Sequence, residues 1–471
     1  MTLTHWPTRL APRWQQRLAW TTAPNSPPET APDATLLIGS WNGTAWTSDA
    51  VNGSFDDLRA VVAPLAEVFR EAGHRLYLVG GVVRNVLMGG GETTPDIDLT
   101  TDAPPDRIRD LVAGSADAVW LQGERFGTVG VRIGRHTLEI TTHRSEAYLD
   151  DSRKPVVTFS KDLVEDLARR DFTVNAMAVD VGNGTLHDPF AGRADLEAGL
   201  LRTPLAPEES FSDDPLRMLR AARFVAGYRL DPVPGLVEAA RRLAERLDVV
   251  STERVREELL RLLAVDDPRA GLDFLVEIGL LEKILPEVAT LDRSSRQAAF
   301  NRVPIASGDP LDRLAVLLLD LGPVEAGGRV RALRFSRRET ATVKGLVEIV
   351  GRVRSGPPEG GWSAEDVRRM AFNAGELLDR ALDLAVAVGA DTGGLITAVS
   401  ELRGVGELED LGPALDGGQV MVVLDLVGGP EVGEALAWLT DLRLREGRLS
   451  VEEAEMLLTD WWRSREGGIG T

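Results

Sequence analysis

RLYLVGG at residues 75–81 and PDIDLTT at 95–101 decide how the first half of this chain folds. Both read as short strands, rich in branched and aromatic residues. The first ends in Gly80-Gly81 and opens a helical run, VVRNVLMG (82–89). The second carries Asp96 and Asp98 with one residue between them. Side chains at i and i+2 of a strand share a face, so the two carboxylates can converge on the same hard cations. Mg²⁺ keeps most of its waters and takes one or two carboxylates together with substrate phosphate oxygens, the usual arrangement for moving a nucleotide from a triphosphate. By itself an Asp-x-Asp pair also describes a solvated strand end, so the surroundings must separate the two readings.

Further short strand-like runs follow: AVWLQG (118–123), GTVGVRI (127–133) and HTLEITTHR (136–144). A helix is expected at PDRIRDLV (105–112), and another from Asp56 to about Gly73, where Leu58, Val61, Val62, Leu65, Val68 and Phe69 recur at helical spacing. This predicts an α+β domain built on one sheet. The pattern changes after about Thr203 to helical periods separated by Pro and Gly, as in DPLRMLRAARFVAG (214–227), GLVEAARRLAERL (235–247) and STERVREELLRLLA (251–264). Ser251 or Thr252 precedes an acidic first turn and suits an N-cap. Helical periods continue through 366–390 to SVEEAEMLLTDWWRSR (450–465), so an α+β head is followed by an all-helical arm. Residues 1–54 show no sustained period, and TTAPNSPPETAPD (21–33) has the composition of a linker.

At 471 residues the chain is too long for one hydrophobic core, and two to four domains are expected. With no cysteine, disulfides and thiolate metal sites are excluded. No apolar run approaches the length of a membrane span, and the first thirty positions lack a signal-peptide core, which makes the cytoplasm the default location. A net charge of −20 argues against indiscriminate binding to polyanions but leaves room for a local basic footprint. Lys154, Lys161, Lys283 and Lys344 are the only lysines, so arginine carries nearly all positive charge. Arginine is the better fork for phosphates and bases, but a high-GC coding bias would produce the same skew.

Glycines at 80 and 81 let backbone N–H groups approach a triphosphate at a helix start, with Arg84 on the first turn; a tight strand-to-helix turn without ligand uses the same residues. Glu139, charged among apolar neighbours in HTLEITTHR, is either a third carboxylate of a two-metal site or a solvent-facing residue of an alternating strand. In LARRDFTVNAMAVD (167–180), Arg169, Arg170 and Asp171 stand before an apolar, helix-like stretch and can clamp phosphate and ribose, or simply start a solvated helix. In FSDDPLRMLRAARF (211–224), Ser212 can cap a helix, Pro215 suits its first turn, and Asp214, Arg217 and Arg220 share one face. Those three form either a salt-bridge ladder or a set of donors and acceptors for a base edge.

Taken in order, GGVVRN, DIDLTT, RRDFTVNAMA, SDDPLRMLRAARF and TERVREELLRLL resemble the motifs of the class II tRNA nucleotidyltransferases, the CCA-adding enzymes and their bacterial poly(A) polymerase relatives. The likeness runs over about 56–466, includes GPEVGEALAWLTDLRLREGRLSVEEA (429–454), and is similar to actinobacterial members. It implies a hook-shaped molecule, with an N-terminal extension of unknown role (1–54), a nucleotidyltransferase head with one mixed sheet (55–203), a neck that recognises the base (204–265), a helical body (266–395) and a helical tail (396–471). It further implies Mg²⁺ on Asp96 and Asp98 and a triphosphate gripped by Gly80, Gly81 and Arg84, beside which Glu139, from its place in the strand, is the candidate third catalytic carboxylate. By the same likeness Arg170 and Asp171 meet phosphate and sugar, and Asp214 and Arg217, with Arg220 beside them, read the base of CTP or ATP. The implied partners are the tRNA acceptor stem and the two nucleotides, with no membrane; nothing in the sequence bears on the oligomeric state. SEAYLDDSRKPVVTF (145–159) aligns with the flexible loop that helps switch from C to A, and its full length favours complete CCA addition.

Three departures accompany the resemblance. Asn85 stands where the family usually has Asp, and Asp213 where it usually has Glu. Many bacterial relatives carry an HD phosphohydrolase in the body, whereas here the matching run reads AVLLLDLGPVEAGG (315–328), with Leu319 before Asp320. The motifs do not separate CCA addition from poly(A) polymerisation, and Asn85, the altered body and the acidic balance leave a silent RNA-binding protein as a third reading. All five histidines, at 5, 74, 136, 143 and 187, precede the body, so its His-Asp metal set cannot be built. Incubation with 2′,3′-cAMP or p-nitrophenyl phosphate in Ni²⁺, Mn²⁺ or Mg²⁺ should therefore give no hydrolysis. Robust turnover that survives loss of Asp96 and Asp98 would refute this.

Overall fold

The computed structural model describes residues 48–89, 96–123, 127–147 and 156–466. Described residues up to Leu262 together with Ala270–Lys283 form one compact unit, and Leu263–Arg269 with the described residues from Ile284 onward form a second. The first unit begins with α1 (Ser48–Glu71), β1 (Leu76–Val79), α2 (Gly81–Leu87), β2 (Asp96–Thr101) and α3 (Pro105–Val112). It continues with β3 (Ala118–Gly123), β4 (Thr128–Ile133), β5 (His136–Thr142), β6 (Arg144–Ala147), β7 (Val156–Phe159), α4 (Leu163–Ala168), β8 (Ala178–Asp180) and β9 (Leu186–His187).

Seven of these strands make one mixed sheet in the order β3-β4-β5-β2-β1-β8-β9. Only β2 and β5 pair in parallel; the other neighbours are antiparallel. Alternation then sorts side chains between two faces. Leu76, Leu78, Ile97, Leu99, Val129, Val131, Leu138 and Ile140 point to one face and are buried. Against them pack Leu58, Val62, Leu65 and Phe69 of α1, spaced by three and four residues, and Ile108, Leu111 and Val112 of α3. Each such side chain withdrawn from water contributes about 1.5–3 kcal/mol, so this face makes the core of the head.

On the opposite face, Tyr77 and Val79 pack under Leu167, Ala176 and Ala178. Asp98, Glu139, Arg132 and Trp120, on β2, β5, β4 and β3, are exposed there. The helix-like reading of FTVNAMAVD fails at this point. A single 3₁₀ turn, Thr173–Asn175, leads into β8, whose Ala178, Val179 and Asp180 pair with Val79, Leu78 and Tyr77. Alanine and methionine favour helix locally, but the free edge of β1 imposes a strand. β6 and β7 form a separate ribbon in which Arg144 pairs with Phe159. Between them, 148–155 of the expected flexible loop, like 1–47 of the N-terminal extension, lies outside the described residues.

A two-residue strand β10 (Leu200–Leu201) follows α5 (Gly192–Ala198), and then come α6 (Pro207–Asp213), α7 (Leu216–Tyr228), β11 (Asp231–Pro232), α8 (Pro234–Leu243) and α9 (Thr252–Leu263). Ser251 caps α9 as expected, its hydroxyl accepting from Arg254 N–H. Ser212 does not cap α7, because it lies in the last turn of α6; Asp214 ends that helix and its carboxylate accepts from Leu216 N–H. The second unit is helical, with capping boxes at Ser336/Glu339, Ser363/Asp366 and Asp416/Gln419. Asp320 is held there by Arg302 and Arg354. Among the described residues no helix is long and apolar enough to cross a membrane.

α4 is fastened to the sheet by a carboxylate. Asp166 is fully buried and accepts from Arg169 (Nε 3.0 Å, Nη2 2.6 Å), Arg170 Nη2 (3.1 Å), Thr100 Oγ1 (3.3 Å) and the Arg144 N–H (3.4 Å). Burial alone would raise its pKa, but the charges of Arg170 and Arg169 outweigh burial and hold it at about 2, against an ordinary 3.8. At about 1.4 kcal/mol per pKa unit, that drop corresponds to about 2 kcal/mol of stability at neutral pH. Because the folded pKa is depressed, this contribution is fully present above 3.8 and is lost as pH falls from 3.8 towards 2. Asp166→Asn should therefore be destabilised relative to wild type at pH 7, with the gap closing by pH 2. Denaturant unfolding of both proteins across that range checks this, and a gap independent of pH would remove the assignment.

Candidate active site

The open face of the sheet gathers the carboxylates. β2 and β5 run parallel with Asp98 opposite Glu139 and Asp96 opposite Thr137, so Asp98 and Glu139 are in-register neighbours on one face, both exposed. Directly opposed side chains across a strand pair are about 5 Å apart at Cβ, close enough for two carboxylates to share hard cations. Asp96 holds the register position two residues before Asp98; its side chain lies outside the described ones.

Gly80 ends β1 with φ 72°, a conformation open to glycine, and starts α2. A β-carbon there would stand 3.1 Å from Arg170 Nη1 and 3.6 Å from Asp98 Oδ2. The turn, the carboxylate strand and the arginine after α4 thus converge on one point. A backbone corner flanked by a guanidinium on one side and carboxylates on the other has the donor set for a phosphate chain bearing hard cations.

Two arginines expected at the ligand are turned inward. Arg84 is only 5% exposed. Its Nη2 donates to Tyr228 Oη (2.6 Å) and Asn85 Oδ1 (2.8 Å), its Nη1 to Asn175 Oδ1, and its Cζ lies 3.9 Å from the Tyr228 ring centroid. Its Nη2 is also 3.5 Å from where a Gly81 β-carbon would be, so it backs the turn from below while joining α2 to α7. Arg217, likewise buried, donates to Ser210 Oγ (2.8 Å) and to the carbonyl of Arg169. Burial of polar groups demands partners, and these two arginines find theirs inside the protein.

Asp171 is buried and fixed from three sides, by the Phe172 N–H (2.9 Å), Asn175 Nδ2 (2.9 Å) and Arg220 Nε (3.0 Å). Burial pushes its carboxyl up, but the Arg220 charge overrides that and leaves it well below the usual range. Arg220 is raised in turn by Asp171 and, at 3.8 Å, also approaches Glu258, which bonds Arg223. Asp214 is partly exposed at the start of α7 and accepts from Arg254 Nη2 at 2.8 Å. Asp98, Glu139, Gly80 and Arg170 therefore come together, Arg84 supports the same turn, and Asp171 with Arg220 fixes the segment behind it. Asp214 and Arg217, although three residues apart, are held by different partners, Asp214 by Arg254 and Arg217 by Ser210 and Arg169.

Sequence reasoning missed Asp166, Asn175, Tyr228, Arg254 and Glu258. Asp166 and Glu258 sit at i,i+3 or i,i+4 from arginines, a pattern that reads as a solvated ladder unless burial is known. Asn175 and Tyr228 both meet Arg84, which is 91 and 144 positions away in the chain, and those pairings leave no local signal.

Residues 76–202 match the Poly A polymerase head domain, and 232–291 match the probable RNA and SrmB-binding site of polymerase A. The CCA-adding enzyme of Levilactobacillus brevis is 39% identical over 218 residues, 46% of this chain and 53% of that protein. The chain thus spans about half the length of that relative. The CCA-adding enzyme of Geobacillus stearothermophilus is 32% identical over 330 residues, 70% of this chain and 77% of that protein. Among solved structures, the Bacillus stearothermophilus CCA-adding enzyme in complex with CTP is similar at TM-score 0.67 and 27% identity, covering 88% of this chain and 99% of that one. A CCA-adding enzyme complex with ATP shares the fold at TM-score 0.62 and 20% identity, over 88% of this chain and 98% of that one. Coverage of more than two-thirds of a relative at 32% identity, together with the matching head domain, makes this chain a member of the class II tRNA nucleotidyltransferases, the family of the CCA-adding enzymes and bacterial poly(A) polymerases.

Proposed function

We propose that this chain adds CCA to the 3′ ends of tRNA from CTP and ATP and releases pyrophosphate, with 55–203 as catalytic head, 204–265 as neck, and 266–395 and 396–471 as body and tail for the tRNA. The observation that carries the reading is the register of Asp98 with Glu139 beside the Gly80 corner and Arg170. The exposed, adjacent carboxylates of Asp98 and Glu139 fit a hard divalent cation, so Asp98, with Asp96 two residues before it, would hold Mg²⁺ and Glu139 would serve beside them; the ion when bound would supply charge neutralisation at the reacting phosphate and activation of the 3′-hydroxyl.

The remaining work falls to the protein. Backbone N–H groups at Gly80-Gly81 face the triphosphate, and Arg170, held by Asp166, meets its charge from the side. Asp171, pinned by Arg220 and Asn175, keeps the segment under the sugar rigid. The base is read by Asp214 and Arg217 once Arg254 and Ser210 give them up. In-line attack of the primer 3′-oxygen on the α-phosphorus then needs only that the two be aligned at the carboxylate row, where positioning and electrostatics supply most of the rate.

Incubating tRNA that ends at the discriminator base with each nucleotide singly and together, then sequencing the 3′ ends, tests the reading. CCA ends support it; homopolymer A or unchanged RNA would replace it with a poly(A) polymerase or a silent binder. Asp96→Ala or Asp98→Ala should cut single-turnover addition by at least about 100-fold while tRNA affinity stays within a few-fold, because these groups serve the transition state. Near wild-type rates in either variant sink the metal assignment.

Arg217→Ala should weaken discrimination against UTP and GTP by roughly 5- to 100-fold and slow correct addition, since unpaired polar edges cost about 1–3 kcal/mol. Arg217 also bonds Ser210 and Arg169, so thermal melting must accompany the assay. An unchanged nucleotide preference in a folded variant returns the residue to a purely structural role.

A further inference from the structure

Trp120 lies on the catalytic row without having been assigned a part in it. Across the sheet, Trp120 pairs with Gly130, Gly130 with Glu139, and Glu139 with Asp98, so all four positions belong to one line on the open face. Gly130 is what lets the indole lie down. A β-carbon at 130 would stand 2.0 Å from Trp120 Nε1 and 2.1 Å from its Cε2, so the ring occupies the space that any other residue would fill. The ring therefore reaches over β4 towards Glu139 while the residue stays 38% exposed. Strands are about 5 Å apart, which puts the Trp120 backbone about 10 Å from Glu139 and the reaching ring nearer still. Arg132, two residues along β4 from Gly130 on the same face, is exposed and pairs in register with Thr137, the neighbour of Asp96.

A large aromatic plane beside a guanidinium, next to carboxylates that act on a 3′-hydroxyl, has the chemistry of a single-stranded nucleic-acid platform. We propose that Trp120 stacks on the base of the last nucleotide of the acceptor RNA, that Arg132 meets the phosphate of that nucleotide, and that together they deliver the 3′-hydroxyl to the Asp98–Glu139 pair. The inference rests on the nucleotidyltransferase reading above. The occupant is the acceptor and not the incoming nucleotide, because the triphosphate corner at Gly80 and Arg170 lies on the β1 side of Asp98 and Trp120 on the β3 side. A base stacks by its face whatever its identity, which suits a site that must accept a discriminator base of any kind and then each C in turn.

The competing account is that the indole only fills the gap above a strand glycine, as aromatic residues do in designed sheets. Full-length protein distinguishes the two, with tRNA ending at the discriminator base and CTP as substrates. Trp120→Ala should raise the KM for the acceptor roughly 5- to 150-fold while the KM for CTP stays within about twofold, and Trp120→Phe should restore most of the loss. Gly130→Ala, which displaces the ring with Trp120 still present, should reproduce the acceptor defect. Arg132→Ala should raise the same KM and flatten its dependence on salt. An acceptor whose last base is 2-aminopurine should be quenched on binding wild type but not Trp120→Ala, a readout that gap-filling would not move. Unchanged acceptor KM in folded Trp120→Ala, equal rises in both KM values, or quenching that persists without the indole would each overturn the proposal while leaving the activity intact. Wild type that extends no RNA would instead overturn the reading on which it rests.

Discussion

The buried carboxylate of Asp166 fixes the arginines around the Gly80 corner, the proposed catalytic corner. It sits under the sheet at Thr100 and takes donors from both Arg169 and Arg170. Those two arginines then point to different places. Arg170 Nη1 arrives beside Gly80 and Asp98, while the carbonyl of Arg169 accepts from Arg217 on α7. One side chain therefore ties the strand carrying Asp98, the turn of Gly80 and α7 into one geometry. A buried ion pair is a weak source of net stability, because desolvation offsets much of the Coulombic gain. Its value here is positional: each guanidinium that left would take away part of the charge that compensates a carboxylate in the interior.

Asp171 repeats the device one step later in the chain. It takes Arg220 from α7 and Asn175 from the 3₁₀ turn, and Asn175 in turn takes Arg84 from α2. Arg84 closes the circuit on the Tyr228 ring and hydroxyl. The arginine-for-lysine skew acquires a structural use in this network. A lysine offers one compact charge, whereas Arg84 and Arg217 each satisfy two or three acceptors set at fixed angles in a plane. The second unit relies on the same property, with Arg313 donating to the carbonyls of Leu263, Val265 and Ser307, and Arg368 to those of Leu444 and Arg445.

What the sequence made legible follows from how local each signal is. The α1 stripe, the strands around Gly80 and Asp98, and the change to helices after Thr203 are periodic within a dozen residues, and the structure has them. Asp98 with Glu139 is different. Strand alternation puts Glu139 on one of two faces, but only the parallel pairing of β2 with β5 decides that it lies beside Asp98, and the two are 41 positions apart. The stretch after Asp171 misled because its alanines and methionine prefer helix, while the unpaired edge of β1 demanded a strand. Asp166 was invisible for a third reason. EDLARRD has the spacing of an exposed salt-bridge ladder, and nothing short of the fold tells that its middle acid is dry.

The pair proposed to read the base, Asp214 and Arg217, shows how the same network would bear on selection. In the state described, Asp214 is occupied by Arg254, and Arg217 by Ser210 and Arg169. For the two to meet a nucleotide, those bonds must open, so a reading conformation lies above the resting one by whatever they contribute. A base whose edge replaces each lost donor and acceptor stabilises that conformation; a base with mismatched edges leaves a carboxylate or a guanidinium unpaired in a partly dry site. On that proposal, selectivity would come from the resting contacts as much as from the bound ones. Weakening Arg254 or Ser210 would lower the threshold for every nucleotide together, whereas altering Asp214 or Arg217 would change which nucleotide crosses it.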